Sequence, residues 1–452
     1  MISNQTNRAE DYLSDAELVN IRAFKPRTIS QVVDVNMPGG KEDTNRALIL
    51  AALSNGLVEL QNVSLADDSL ELMEALATLG VSLRLKGRQC RVTGTAGRFA
   101  PNTSKVYAGI SGTSSRFVAG LCMLVPGQFV LDCGSRMRER PMQDLLMAMR
   151  TLGVDVRSVS VTDHLPIEYN NPLEQVARGG QLEMSGETSS QFFTSLLLVA
   201  GRLPGGLEIK VLGNQVSQSY IDMTQYALAK FGVPMQNDDY RRYRVPETRN
   251  IGVERYVVES DATAATYVLA LAAITAKTVR VHGLSVDSPQ GDARFYQILE
   301  LMGCSVDFSS VAQWIEVTGP SQLQSCTVDM LSTPDSAQTL AVVAAFAQGR
   351  TRITGLGTLR LKETDRLSAL QRELTRMGIE VNTGEDWIEI VGGQPHGAII
   401  KTYEDHRMAM SFAIAGAVVE GLMIAGADTV SKSFPEFWET LEMAGLGTQL
   451  VT

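Results

Sequence analysis

Metal-binding residues are scarce in this chain of 452 residues, which has four histidines and five cysteines. Cys90, Cys122, Cys133, Cys304 and Cys326 form no CxxC pair. That spacing excludes a zinc ribbon or a disulfide framework and suits reduced, buried thiols of a cytoplasmic protein. The histidines stand far apart without ligand spacing, so no metal site is expected. A basic excess is also missing. Forty Lys and Arg against fifty Asp and Glu leave a net charge of −10, which argues against a nucleic-acid binder while allowing a local basic pocket. No apolar run approaches the roughly 20 residues of a membrane span. The start, MISNQTNRAEDYLSDAELVN, lacks the basic-then-apolar order of a signal peptide. Residues 1–28 read as a polar extension with a short helix around Ser14 to Ile21.

What the sequence does contain is repetition. An amphipathic helix, a hydrophobic–Gly–hydrophobic stop and short alternating strands recur. The stops fall at Gly80, Gly153, Gly232, Gly303 and Gly378, and a shorter copy, FWETLEMAGLGTQL, stops near Gly445. Leu and Met at three- and four-residue spacing give each helix one apolar face. The glycine supplies the left-handed conformation that closes a helix, and the following strands pair through short polar turns. Each unit carries a second, more apolar helix: Thr44–Asn55, Gly112–Leu124, Ser190–Gly201, Ala262–Ala276, Ser336–Gln348 and His406–Glu420. Six helix-plus-sheet units predict an α/β protein built by duplication. Their spacing of roughly 70–80 residues exceeds that of open solenoids and points to globular domains of a few copies each.

Polar residues gather where the apolar helices begin. Lys41 and Arg46 stand at the first start, Gly109, Gly112, Thr113 and Arg116 at the second, and Ser189, Ser190 and Gln191 at the third. Pro334-Asp335-Ser336 marks the fifth and Tyr403-Glu404-Asp405-His406-Arg407 the sixth. Caps account for the Ser, Thr and Asp but not for the added Arg, Lys, Gln and His. SRMRERP (Arg136, Arg138, Arg140), LKETDRL (Lys362, Glu363, Arg366) and SKSFPEFW (Lys432) add charge at further loop–helix junctions. Singly, such runs are solvated faces. Together they suit an acidic ligand with more than one anionic group, because helix N-termini and guanidinium groups both bind anions. NMPGGKED is no nucleotide P-loop, since Glu42 follows Lys41 where that motif needs Ser or Thr.

These motifs in order, from NMPGGKEDTNRALILAAL through GISGTSSRF, RMRERPMQDL, SSQFFTSLL, VSQSYIDMT, SDATAATYVLA, QGDARF, LKETDRL and EDHRMAMSFA to SKSFPEFW, resemble the enolpyruvyl transferases. Within them the chain is most similar to the 5-enolpyruvylshikimate-3-phosphate (EPSP) synthases. The resemblance covers about Ser30 to the end. It implies an inside-out α/β barrel type of fold with two domains of three repeats, 29–40 plus 261–452 and 41–260, and an active site in the cleft between them. It also implies transfer of the carboxyvinyl group of phosphoenolpyruvate to a hydroxyl of a phosphorylated acceptor, with shikimate 3-phosphate the first expectation, by a monomer without metal or organic cofactor. By motif, phosphoenolpyruvate falls to Lys41, Gly112, Arg136, Gln191, Arg366, Arg407 and Lys432. Proton transfer falls to Asp335 and Glu363, with Lys41 as a shuttle and His406 orienting. The acceptor falls to Arg46, Ser189, Ser190, Gln191, Ser217, Tyr220, Asp335, Thr358 and Lys362.

Three positions depart from the family pattern. Glu42 stands where serine is usual, Ile110 where asparagine is usual, and Thr358 where asparagine is common. Glu42 lies four residues before Arg46, the spacing of a helical ion pair. A paired Arg46 favours an acceptor without a carboxylate, such as a nucleoside monophosphate or sugar phosphate. A Glu42 pointing outward is a plain helix-start acid and leaves an EPSP synthase. A binding protein that kept the fold and lost the chemistry is opposed by the presence of Asp335, Glu363 and the cations.

Overall fold

A computed structural model describes residues 13, 20–25, 32–101, 103–172 and 177–451. The chain forms two compact units. One joins Met1–Met37 to Ser260–Thr452 and the other is Pro38–Glu259. The described residues form six four-stranded sheets, three in each unit.

The repeat seen in the sequence is one sheet with two helices. In the Pro38–Glu259 unit, Lys41–Leu53, Gly112–Cys122 and Ser190–Ala200 are buried on nearly every face and pack on one another. The amphipathic Asp67–Thr78, Gln143–Thr151 and Gln218–Lys230 bury one face each. The other unit repeats this with inner helices Ala262–Thr275, Ala337–Ala344 and His406–Ala415. A helix apolar all round must lie inside, so each unit is three central helices surrounded by sheets and outer helices. The six glycine stops all have φ between +77° and +95°, the left-handed closure the sequence predicts.

Each sheet joins a parallel pair to antiparallel neighbours. Gly180–Ser185, for example, runs parallel to Leu207–Leu212, which pairs antiparallel with Arg242–Val245. Parallel strands point the same way, so helices that follow them begin at the same edge. Ser190–Ala200 and Gln218–Lys230 do so, and Thr194 Oγ1 and Thr224 Oγ1 join them at 2.9 Å. This repeated geometry is what brings the polar helix starts together.

The first residues require a correction. Residues 14–19 of the expected short helix lie outside the described residues. Ile21–Lys25 is a strand, not part of a polar extension. It sits between Met423–Ala425 and Gly447–Leu450, antiparallel to both, with Ile21 buried against Ile399, Met423 and Ala425. The last copy of the repeat is short by one strand, and Ile21–Lys25 fills that place, satisfying backbone groups that two edges would otherwise leave open.

Candidate active site

In the unit containing Ser260–Thr452, Arg366 opens the helix Arg366–Arg376 and lies fully buried among three carboxylates. Its Nε donates to Asp405 Oδ2 at 2.7 Å, Nη1 to Asp335 Oδ1 at 3.0 Å and Nη2 to Glu363 Oε2 at 2.8 Å. Burial alone weakens a guanidinium, but Asp405, Glu363 and Asp335 outweigh it and raise its pKa further. Asp335 also meets Lys362 at 3.3 Å and Arg407 at 3.5 Å. Glu363 meets Lys432 at 3.0 Å. Four cations thus fix two partly accessible carboxylates. Asp405 is completely buried and caps His406–Ala415 by accepting from Arg407 N at 2.9 Å. One carboxylate therefore holds both Arg366 and the start of the helix bearing His406 and Arg407.

Two further acids steady this site. Asp292 accepts from Thr263 Oγ1 at 2.5 Å and from Ser336 Oγ, beside Asp335, at 2.9 Å. Burial raises its pKa to about 6 against the pull of Thr263 and Arg407. Glu373, completely buried, accepts from Lys401 N and from Tyr403 Oη at 2.8 Å. Tyr403 and Glu404 both have φ near +57°, and Glu373 anchors this turn ahead of Asp405.

In the Pro38–Glu259 unit, Lys41 Nζ lies 3.0 Å from Asp68 Oδ2 and 3.0 Å from Glu42 Oε1. Gln191 donates to Thr113 Oγ1 at 3.1 Å and accepts from Arg116 Nη1 at 2.6 Å. Gly112 lets the Arg140 guanidinium approach closely, because a Cβ there would fall 2.5 Å from Arg140 Nη1 and displace it. Ser189 caps Ser190–Ala200. Ser217 stands at the start of Gln218–Lys230 in the left-handed region at φ +54°. Arg46 is buried, with Nε on Thr224 Oγ1, Nη1 on the Glu42 carbonyl and Nη2 on the Tyr220 carbonyl at 2.7–3.0 Å. Burial lowers its pKa, and Glu42 is first among the groups that offset this.

The model of a family described as EPSP synthase (3-phosphoshikimate 1-carboxyvinyltransferase) matches residues 27–441. The chain belongs to the EPSP synthase family. A 3-phosphoshikimate 1-carboxyvinyltransferase of Shewanella loihica is 37% identical over 409 residues, 89% of this chain and 95% of the relative. One of Vibrio atlanticus is 36% identical over 91% of this chain and 97% of its own length. Among solved structures, the EPSP synthase of Acinetobacter baumannii superposes with a TM-score of 0.82 at 24% identity, covering 96% of this chain and all of that one. The enolpyruvyl transferase NikO of Streptomyces tendae gives 0.73 at 16% identity, covering 95% and 98%. At these identities the two structures show the fold alone, and it is the inside-out α/β fold expected of an EPSP synthase.

Most of the motif residues of an EPSP synthase named from the sequence fall into these two groups, one in each unit. Arg136 does not. Its side chain is 44% exposed and pairs with the exposed Glu139 at 2.5 Å, while Arg140, four residues on, is the buried arginine against Gly112. Thr358 lies on the turn before Lys362, and its buried hydroxyl meets no partner among the described residues. Ile110 is 43% exposed, its backbone N–H held by Glu71 at 3.1 Å. The sequence places Asp405, Thr113, Arg116 and Arg140 among the polar residues at helix starts and loop–helix junctions without giving them a specific role, and it does not single out Asp68. Each sits inside a quoted motif or at a helix start, which was the available signal.

Among the described residues no helix is long and apolar enough to cross a membrane. No cluster of three or more metal-ligand side chains occurs among them either.

Proposed function

We propose that this chain transfers the carboxyvinyl group of phosphoenolpyruvate to a hydroxyl of shikimate 3-phosphate, giving EPSP and phosphate, as a cytoplasmic monomer. The names of its relatives support the substrates. The observation that carries the chemistry is the pair Asp335 and Glu363, both fixed on the guanidinium of Arg366.

Addition needs a base to take the acceptor hydroxyl proton as its oxygen attacks C2 of phosphoenolpyruvate, and an acid to protonate C3. Elimination then breaks the C2–O bond to phosphate and returns a proton from the methyl group. In this reading Asp335 works at the acceptor hydroxyl and Glu363 at C3, Lys41 passes protons, and His406 orients. Arg366, Arg407 and Lys432 offset the charge of the tetrahedral intermediate. Arg136 keeps the donor role its motif implies, with Gly112 and Gln191, and the buried Arg140 packs against Gly112. Ser189, Ser190, Ser217 and Tyr220 present hydroxyls to the acceptor phosphate at two helix starts. Lys362 and Thr358 face the acceptor ring.

The test is phosphate release from phosphoenolpyruvate with shikimate 3-phosphate, run beside nucleoside monophosphates and sugar phosphates. Turnover with shikimate 3-phosphate that is lost in Asp335→Asn and Glu363→Gln is expected. Turnover confined to another acceptor sinks the substrate assignment. The second reading rests on the Glu42–Arg46 contact, which suits an acceptor lacking a carboxylate.

A further inference from the structure

We propose that Glu42 is an internal competitor for the acceptor carboxylate, and so sets how tightly the site takes its acceptor. The proposal rests on the reading above for the identity of that acceptor.

Both substrates of that reactionare anions, yet Glu42 places a carboxylate among the cations of the Pro38–Glu259 unit. Its Oε1 stands 3.0 Å from Lys41 Nζ and its Oε2 stands 3.6 Å from Arg46 Nη1. The Thr113 hydroxyl lies 3.4–3.5 Å from both oxygens. The Glu42 side chain is only 14% exposed, so the pairing is not a loose surface one. Arg46 cannot turn toward a ligand without breaking bonds, because Thr224, Tyr220 and the Glu42 carbonyl hold its three nitrogens.

The position ties Glu42 to the acceptor. Arg46 bonds Tyr220 and Thr224 on Gln218–Lys230, the helix that Ser217 starts, where the acceptor phosphate is proposed to sit. A substrate carboxylate arriving at Arg46 meets Glu42 already there. Like charges at that range repel strongly in a partly buried site, so the side chain must leave or the affinity must fall. The first turn of the helix tolerates an acid, because the dipole and the free N–H groups favour negative charge. Glu42 therefore stays in place when no substrate is present.

The experiment compares the wild-type chain with Glu42→Gln and Glu42→Ser, folding being checked by thermal melting. Shikimate 3-phosphate affinity is measured by titration and by KM, with phosphoenolpyruvate KM alongside. A shikimate 3-phosphate analogue carrying a carboxamide in place of the carboxylate serves as a further probe. Both variants are expected to bind shikimate 3-phosphate at least about 10-fold more tightly, with little change toward the carboxamide. Affinity that is unchanged or weaker in both variants overturns the proposal, as does an equal gain for the carboxamide. Wild-type turnover with unchanged variant affinity removes this inference and leaves the function standing. A silent wild type with an active Glu42→Ser supports Glu42 as the competitor and overturns shikimate 3-phosphate as the acceptor of the wild-type chain. If all three proteins are silent, both are overturned.

Discussion

Arg136 and Arg140 share one short run, SRMRERP, and at helical spacing they would share a face. The helical turn ends at Arg138, so the two point to different places, one into solvent and one against Gly112. Which arginine of such a run turns inward is decided by where the turn breaks, and the sequence does not announce that. Arg140→Ala is expected to lower kcat/KM for phosphoenolpyruvate on the order of 100-fold. Arg136→Ala, which removes the accessible donor contact of the motif, should also lower it on the order of 100-fold, and steady-state kinetics measure both. Asp43 and Asp292 yield a second prediction at this scale. Burial raises both to about 6, Asp43 against the hydrogen bonds it accepts from Tyr256 and Glu259 N. Their folded-state values lie above the unfolded one, so the folded chain binds more protons between about pH 4 and 6. Stability from these two sites is full at the acid end of that window and declines as pH rises through it. Asp43→Asn and Asp292→Asn should therefore each gain stability relative to wild type, by about 2–3 kcal/mol between pH 4 and 6, read as the pH dependence of the difference in chemical denaturation.

At the scale of elements, the inner helices were readable because their apolar residues lie on every face. The glycine stops were readable because only a left-handed closure explains that residue after a helix. The helix starts were approximate. Lys41 already belongs to its helix, and Asp335 and Ser336 form a 3-10 turn ahead of Ala337–Ala344. The strand Ile21–Lys25 is hidden in the sequence because IRAFK is too short and too polar to declare itself a strand. Its assignment depends on partners some 400 residues away, and no local pattern carries that. Ile21→Asp buries a charge in the last sheet and is expected to lower the stability of the unit containing Ser260–Thr452 by about 3 kcal/mol. Hydrogen exchange at Met423–Ala425 and Gly447–Leu450 would report the loss locally, and unchanged protection there would count against the strand's role. In the site, the acids that hold other groups were the hard ones to see. Asp405 reads as an ordinary helix cap, and only the fold shows that the same carboxylate binds Arg366 39 positions back.

At the scale of the molecule, the division falls between Met37 and Pro38 and between Glu259 and Ser260. One unit is a single uninterrupted stretch of chain. The other is assembled from both ends, with Val32–Asn36 running parallel to Thr278–His282 and Ile21–Lys25 lying between the final strands. The order of synthesis therefore treats the two unequally. Domains fold largely as units while the ribosome adds residues, and Pro38–Glu259 has all its strands once Val257 has emerged. The earliest-made of the described strands, Ile21–Lys25, has no partner until Met423–Ala425 is translated, and its second edge waits for Gly447–Leu450. Its short, mixed sequence suits that wait, because a long apolar strand left open through most of translation would invite pairing with other chains.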